Sequence, residues 1–228
     1  MKLTIVTTST RPGRVGKTVS DWFHHHAQAH PAGFEGIALA DLADINLPLL
    51  DEPHHPALQK YQHAHTKRWS EIVSGSDAFV FVLPEYNHTA PPSFTNAVDY
   101  LYQEWRYKPA GFVSYGGISG GLRATETAKL ILNAVEMVPV KQQVVIPMVA
   151  SLWWRWHILL LKNELLAQSG RALEAVLACR FSGKVRAPTG RPAKRAWPGK
   201  AVLCAFSAAP AWRTALLQAR GCALSRRP

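Results

Sequence analysis

Ala78-Phe79-Val80-Phe81-Val82-Leu83 is a run of six apolar residues, followed at once by Pro84-Glu85-Tyr86-Asn87. A strand with one wet face alternates apolar and polar residues, whereas a strand buried on both faces reads as an unbroken apolar run. This run is therefore expected to be a central strand of a parallel sheet with helices on both sides. Other apolar runs of strand length occur at Leu3 to Thr7, Ile37 to Ala40, Gly111 to Tyr115 and Val144 to Ile146. Between them the apolar positions follow helical spacing. They are Val15, Val19, Trp22, Phe23 and His26; Leu58, Tyr61, His65, Trp69 and Ile72; Phe94, Ala97, Val98 and Leu101; and Ala128, Ile131, Leu132 and Val135. Strand and helix alternate, so the pattern predicts a doubly wound α/β domain with five strands. A last periodic segment, Leu165 to Leu177, is expected to return over one sheet face, with the domain ending near Ala178. No structure is read for the Trp-rich segment at residues 151–161.

The chain has 228 residues, 47% of them apolar and 18% charged, a globular composition. Its formal charge of +11 would suggest a nucleic acid or an anionic membrane as partner, but the charge is unevenly spread. Residues 1–150 carry 12 Lys and Arg against 13 Asp and Glu, whereas residues 151–228 carry 14 against 2. No acidic residue occurs from Cys179 to Pro228. That tail, 179–228, is expected to be disordered and to take no part in the chemistry of the domain. Its loss of acids, scattered Trp and Cys, and surplus of Ala, Arg, Pro and Gly are the marks of a shifted reading frame in GC-rich DNA. That reading is preferred to an RNA-binding arm. Three cysteines without a CxxC pair suit neither a disulfide framework nor a zinc site. With no apolar run of spanning length and no cleavable leader pattern, a cytoplasmic protein is expected and a membrane partner is not.

In an open α/β sheet, ligands bind beyond the carboxyl ends of the strands. Three such ends carry unusual sequence. The first is Thr8-Ser9-Thr10-Arg11-Pro12-Gly13-Arg14-Val15-Gly16-Lys17, where hydroxyls, glycines and a helix start combine with positive charge, a natural anion cradle. Gly16-Lys17-Thr18 ends like a nucleoside-triphosphate loop, but the position needing the first glycine is Arg11. An NTPase, with Asp41 as a magnesium carboxylate, is therefore the weaker reading. The second is the Pro84 to Asn87 segment, with Pro91-Pro92 and then Phe94-Thr95-Asn96-Ala97-Val98-Asp99. The third is Ser114-Tyr115-Gly116-Gly117-Ile118-Ser119-Gly120-Gly121-Leu122-Arg123, whose glycines let backbone amides approach a flat ligand.

On these three segments the chain resembles the flavodoxin-like NAD(P)H-dependent FMN reductases, which include quinone, azo-dye and chromate reductases. The resemblance covers residues 1 to about 150. It implies strand order 2-1-3-4-5, with FMN at the switch between strands one and three. It also implies that Ser9, Arg11, Arg14, Val15 and Gly16 hold the phosphate, and that Pro84, Glu85, Tyr86 and Asn87 hold the isoalloxazine edge. Tyr115, Gly116 and Gly117 would border its pyrimidine end. Backbone donors there would stabilise the reduced, anionic ring. Hydride would pass from the nicotinamide of NADPH or NADH to flavin N5, so no catalytic side chain is named. Arg123 is read either as meeting the dinucleotide phosphates or as a structural helix arginine, Glu85 as structural or a subunit contact, and His88 as a surface residue.

The implied function is an NAD(P)H-dependent FMN oxidoreductase that reduces a small-molecule acceptor: a quinone, azo compound, metal oxyanion or flavin. The alternatives are a non-enzymatic FMN electron carrier and a nucleic-acid-binding protein acting through the tail. A homodimer or homotetramer is expected, because Tyr100, Tyr102, Trp105 and Tyr107 crowd one short segment. No metal site is expected: His24, His25 and His26 point about 100° apart on a helix, and only His26 and His30 share a face.

Overall fold

A computed structural model describes residues 1–153 and 159–181. Five parallel strands form one sheet in the order β2-β1-β3-β4-β5, with β1 at Lys2–Thr7, β2 at Gly36–Asp41, β3 at Ala78–Pro84, β4 at Pro109–Tyr115 and β5 at Val138–Ile146. The helices are α1 (Gly16–Ala29), α2 (Leu42–Ile45), α3 (Ala64–Ser74), α4 (Pro92–Asp99), α5 (Leu122–Ala134), α6 (Val149–Trp153) and α7 (Leu159–Phe181). This is the flavodoxin-like arrangement, and its switch point falls between β1 and β3, where the order reverses.

Every residue of β3 is buried, because the strand serves two cores. Phe79, Phe81 and Leu83 face Trp69 of α3, Phe94 and Val98 of α4, and Leu132 of α5. Ala78, Val80 and Val82 face the opposite layer, with Val19 and Phe23 of α1 and Leu173 and Val176 of α7. The edge strands tolerate more polarity. β5 begins six residues before its apolar run, and its pairing with β4 shifts register between Ala110 and Phe112, where Lys141 and Gln142 are exposed. Pro139 is accommodated because β5 has a neighbour on one side alone.

The helical spacing read from Leu58 and Tyr61 onward is realised only from Ala64. Leu58 closes a 3-10 turn at Pro56–Leu58, and Tyr61 lies in the following loop, donating its hydroxyl to Glu104 at 3.0 Å. The crowded aromatics after α4 have partners inside the chain, with Tyr102 and Tyr107 left half-buried. Tyr100 and Trp105 are fully buried, and the Trp105 and Trp69 indoles donate to Val98 and Ala97 carbonyls at 3.1 and 2.8 Å. Tyr102 and Arg106 meet Glu136, and Arg106 lies over the Tyr107 ring. No helix among the described residues is long and apolar enough to cross a membrane. The tail after Phe181, and part of the Trp-rich segment, lie outside the described residues.

Candidate functional site

The carboxyl ends of β1, β3 and β4 lie side by side, so the three unusual segments meet. The loop leaving β1 is anchored at its start. The Thr7 hydroxyl donates to Ser20 at 2.7 Å and the Thr8 hydroxyl donates to the Val82 carbonyl at 2.7 Å, while Ser93 donates to the Thr8 carbonyl. Ser9, also buried, then presents its hydroxyl to that of Tyr86 at 2.8 Å, and the Tyr115 hydroxyl bonds Ser9 as well. Three hydroxyls from three strand ends thus converge at the start of α1. Burial raises the Tyr115 phenol above its ordinary value, with nearby Tyr86 adding to the shift, so it stays a neutral hydroxyl. A Cβ on Gly16, the first residue of α1, would overlap the Tyr115 hydroxyl and stand 3.2 Å from the Ser9 Cβ. Only glycine lets the helix start this close to the hydroxyl cluster.

The helix start is uncompensated by its own sequence: no side chain caps α1 and no acidic residue stands in its first turn. Its free N–H groups and dipole therefore favour an anion. Arg14 lies alongside, half-buried, with one guanidinium nitrogen donating to Asp41. Its Nε is buried and has no partner. A buried donor left unpaired costs about 1 to 3 kcal/mol, so this atom marks a place where a ligand oxygen would be stabilised. Arg11 is exposed on the same loop. Lys17 instead turns to Asp21 one helical turn on, at 3.0 Å.

After β3, Tyr86 to Thr89 form a two-residue hairpin turn, closed by Tyr86 N–H to the Thr89 carbonyl at 3.1 Å and the reverse bond at 3.0 Å. Asn87 and His88 both have positive φ, 50° and 65°, as a type I′ turn demands. Asparagine tolerates that conformation better than most residues. The turn leaves Asn87 and His88 exposed beside the cradle. After β4, the Gly116 and Gly117 carbonyls accept Val149 and Met148 N–H at 3.0 and 2.8 Å, so the glycine loop is held to the chain after β5. Gly121 has φ 88°, and a Cβ there would stand 2.8 Å from the Ser114 Cβ and the Tyr115 nitrogen. This glycine serves packing of the loop on its own strand, whereas Gly117 faces open space.

The description "NADPH-dependent FMN reductase" matches residues 1–151. The chain belongs to this family. As a member of the NADPH-dependent FMN reductases it is an oxidoreductase. It is 36% identical over 158 residues to an NAD(P)H-dependent FMN reductase of Nectria sp, covering 66% of this chain and 77% of the relative. A relative of the same description from Schizosaccharomyces pombe is 38% identical over 122 residues, 53% of this chain and 60% of the relative. Among solved structures, the flavoenzyme FerB of Paracoccus denitrificans, an NAD(P)H:(acceptor) oxidoreductase, shares the fold with TM-score 0.59 and 17% identity, over 78% of this chain and 97% of that one.

Two side chains of this FMN reductase have partners that the sequence left open. Asp41, considered as a magnesium carboxylate, spends one oxygen on Arg14 and the other on the Ala43 N–H at 3.0 Å, capping α2. Arg123 pairs with Glu85 at 3.0 Å, and Ser119, which sequence reasoning did not single out, bonds the same carboxylate. Burial pushes the Glu85 carboxyl upward, but the bonds from Ser119 and Arg123 outweigh it and hold the group below its ordinary value. Among the described residues no three His, Cys, Asp or Glu side chains stand close enough to hold a metal ion. His26 and His30 do share a face, with their rings stacked 4.7 Å apart.

Proposed function

We propose that this protein binds FMN at the carboxyl ends of β1, β3 and β4 and uses it to pass reducing equivalents from NADPH or NADH to a small-molecule acceptor such as a quinone, azo compound, metal oxyanion or flavin. The observation that carries the reading is the anion cradle: an uncapped helix start, the buried unpartnered Nε of Arg14, and the hydroxyls of Ser9, Tyr86 and Tyr115 converging on it. In this reading Ser9, Arg11, Arg14, Val15 and Gly16 hold the phosphate by charged and backbone hydrogen bonds. Pro84, Glu85, Tyr86 and Asn87 flank one edge of the ring, and Tyr115, Gly116 and Gly117 the other.

When bound, FMN supplies hydride acceptance from the nicotinamide and delivery to the acceptor. The protein's residues bind, orient and exclude water. The hydroxyls of Tyr86 and Tyr115 can donate to a ligand oxygen, and the open face at Gly117 leaves room for a flat group against the backbone. No side chain is assigned as acid or base. Exposed apolar residues at the rim, with Ile118 92% accessible and Leu122 and Met148 also exposed, support an apolar acceptor or a second copy of the chain at this edge. A homodimer or homotetramer is part of the proposal, as are a functional domain of residues 1–178, a tail outside the chemistry and a cytoplasmic setting. The test is titration of the apoprotein with FMN followed by NADPH and NADH oxidation assays with a quinone. Tight FMN binding and acceptor-dependent turnover are expected. An FMN-loaded protein inert with both nucleotides would instead favour an electron carrier.

A further inference from the structure

Glu85 stands where two of the three site segments touch. Its backbone N–H donates to the Tyr115 carbonyl at 3.1 Å, extending the β3–β4 ladder by one rung beyond Pro84. Its side chain, only 8% exposed, turns away from the hairpin turn and into the start of α5. There Oε2 accepts the Arg123 backbone N–H at 3.2 Å, Oε1 accepts the Arg123 guanidinium at 3.0 Å, and Ser119 bonds the carboxylate from the glycine loop. The residue at the N-cap of α5 is Gly121, which has no side chain to offer, so Glu85 caps this helix from another loop. A Cβ on Gly116 would lie 3.5 Å from the Glu85 Cβ, so the two segments are already in van der Waals reach. One buried carboxylate therefore joins the Pro84–Asn87 segment to the Gly116–Arg123 segment.

We propose that Glu85 is a positioning residue for the flavin: with Arg123 and Ser119 it sets the spacing between the two segments that flank the ring, and its pairing with Arg123 keeps their local charge balanced. The inference rests on the FMN site proposed above. The carboxylate is mostly shielded while Arg123 is 54% exposed, so the pair is asymmetric. Removing the carboxylate frees a cation at the solvent edge. Removing the cation leaves a shielded anion held by Ser119 and one backbone N–H. A positive charge near a flavin favours its reduced, anionic form and a negative charge disfavours it. The two deletions should therefore move the bound flavin's midpoint potential in opposite directions, which loss of a merely structural contact would not do.

The experiment compares the FMN-loaded wild type with Glu85→Ala, Glu85→Gln and Arg123→Met, measuring FMN dissociation constant, visible band shape and midpoint potential. Glu85→Ala should weaken FMN binding tenfold or more. Glu85→Gln, which keeps an acceptor for the Arg123 N–H, should weaken it threefold or less. The potential should rise in Glu85→Gln and fall in Arg123→Met. Should Glu85→Ala fail to fold, judged by thermal melting of the apoprotein, the opposite potential shifts of the other two variants carry the test. Wild-type affinity and band shape in a folded Glu85→Ala, or shifts of the same sign in Glu85→Gln and Arg123→Met, would overturn the inference while leaving the FMN site standing. A wild type that takes up no FMN would remove both.

Discussion

Replacing Arg14 with methionine separates the two roles this side chain holds, in stability and in ligand binding. Methionine keeps most of the aliphatic packing but strands Asp41, whose side chain is 7% exposed. Removing one partner of a buried ion pair costs about 3 to 5 kcal/mol. Asp41 still accepts the Ala43 N–H and Arg14 is itself 17% exposed, which puts the expected loss at the lower end, about 3 kcal/mol. Adding Asp41→Asn removes the stranded charge while keeping the cap on α2, so Arg14→Met/Asp41→Asn should recover most of that stability. Phosphate binding should not recover, because the unpartnered Nε of Arg14 is gone in both variants. Loss of one charged hydrogen bond costs about 1.5 to 3 kcal/mol, or roughly 10- to 150-fold in FMN affinity. Urea denaturation of the apoproteins gives the first quantity and fluorescence titration with FMN the second. A double variant that regains both stability and FMN affinity would refute the assignment of Arg14 to the phosphate.

Arg11→Ala should weaken FMN binding by about 1.5 to 3 kcal/mol, whereas Lys17→Ala should leave it nearly unchanged, since Lys17 is engaged with Asp21 on its own helix; titration of the two apoproteins side by side distinguishes them. Acid should destabilise the fold through His26, which is buried with Nε2 unpartnered and whose pKa is lowered by burial first and by His30 second. Because the folded value lies below the unfolded value of about 6.5, the unfolded chain binds the extra proton, and stability falls by up to about 1.4 kcal/mol per pH unit as pH drops below about 6.5. Urea midpoints at pH 7.5, 6 and 5 should show this loss, and His26→Leu should flatten it. A chain ended after Ala178 should retain the FMN content and NADPH oxidation of the full chain and lose any weak, salt-sensitive retention of RNA; loss of flavin on truncation would make the tail a working part.

The layer architecture was legible because it follows from one-dimensional patterns: the unbroken run at Ala78 to Leu83 requires burial on both faces, and β3 has it. The ends of elements were less legible. The polar Lys141 and Gln142 sit in an edge strand where one side need not be apolar, so the run from Val144 understated β5. Leu58 and Tyr61 carried the helical period by coincidence, the first in a 3-10 turn and the second in a loop that meets Glu104. At the candidate site, the three segments that meet could be read, since each leaves the carboxyl end of one of three neighbouring strands. The pairings could not. Which carboxylate meets Arg14, or that Glu85 meets Arg123 across 38 residues, depends on where separate loops lie in space. The burial of Tyr100 and Trp105 was hidden for the same reason, because after the short α4 the chain turns back and sets Trp105 against Phe79 and Phe81 of β3 and Tyr100 against His65 of α3.

The central claim is that the cradle between β1, β3 and β4 holds a redox-active FMN. Its most direct test is the visible absorption of the FMN-titrated, desalted protein, recorded before NADPH or NADH, after it, and again after a quinone. The account predicts a retained two-banded flavin spectrum that bleaches with the nucleotide and returns with the quinone. A folded protein that emerges colourless from desalting and quenches no FMN fluorescence on titration would contradict it.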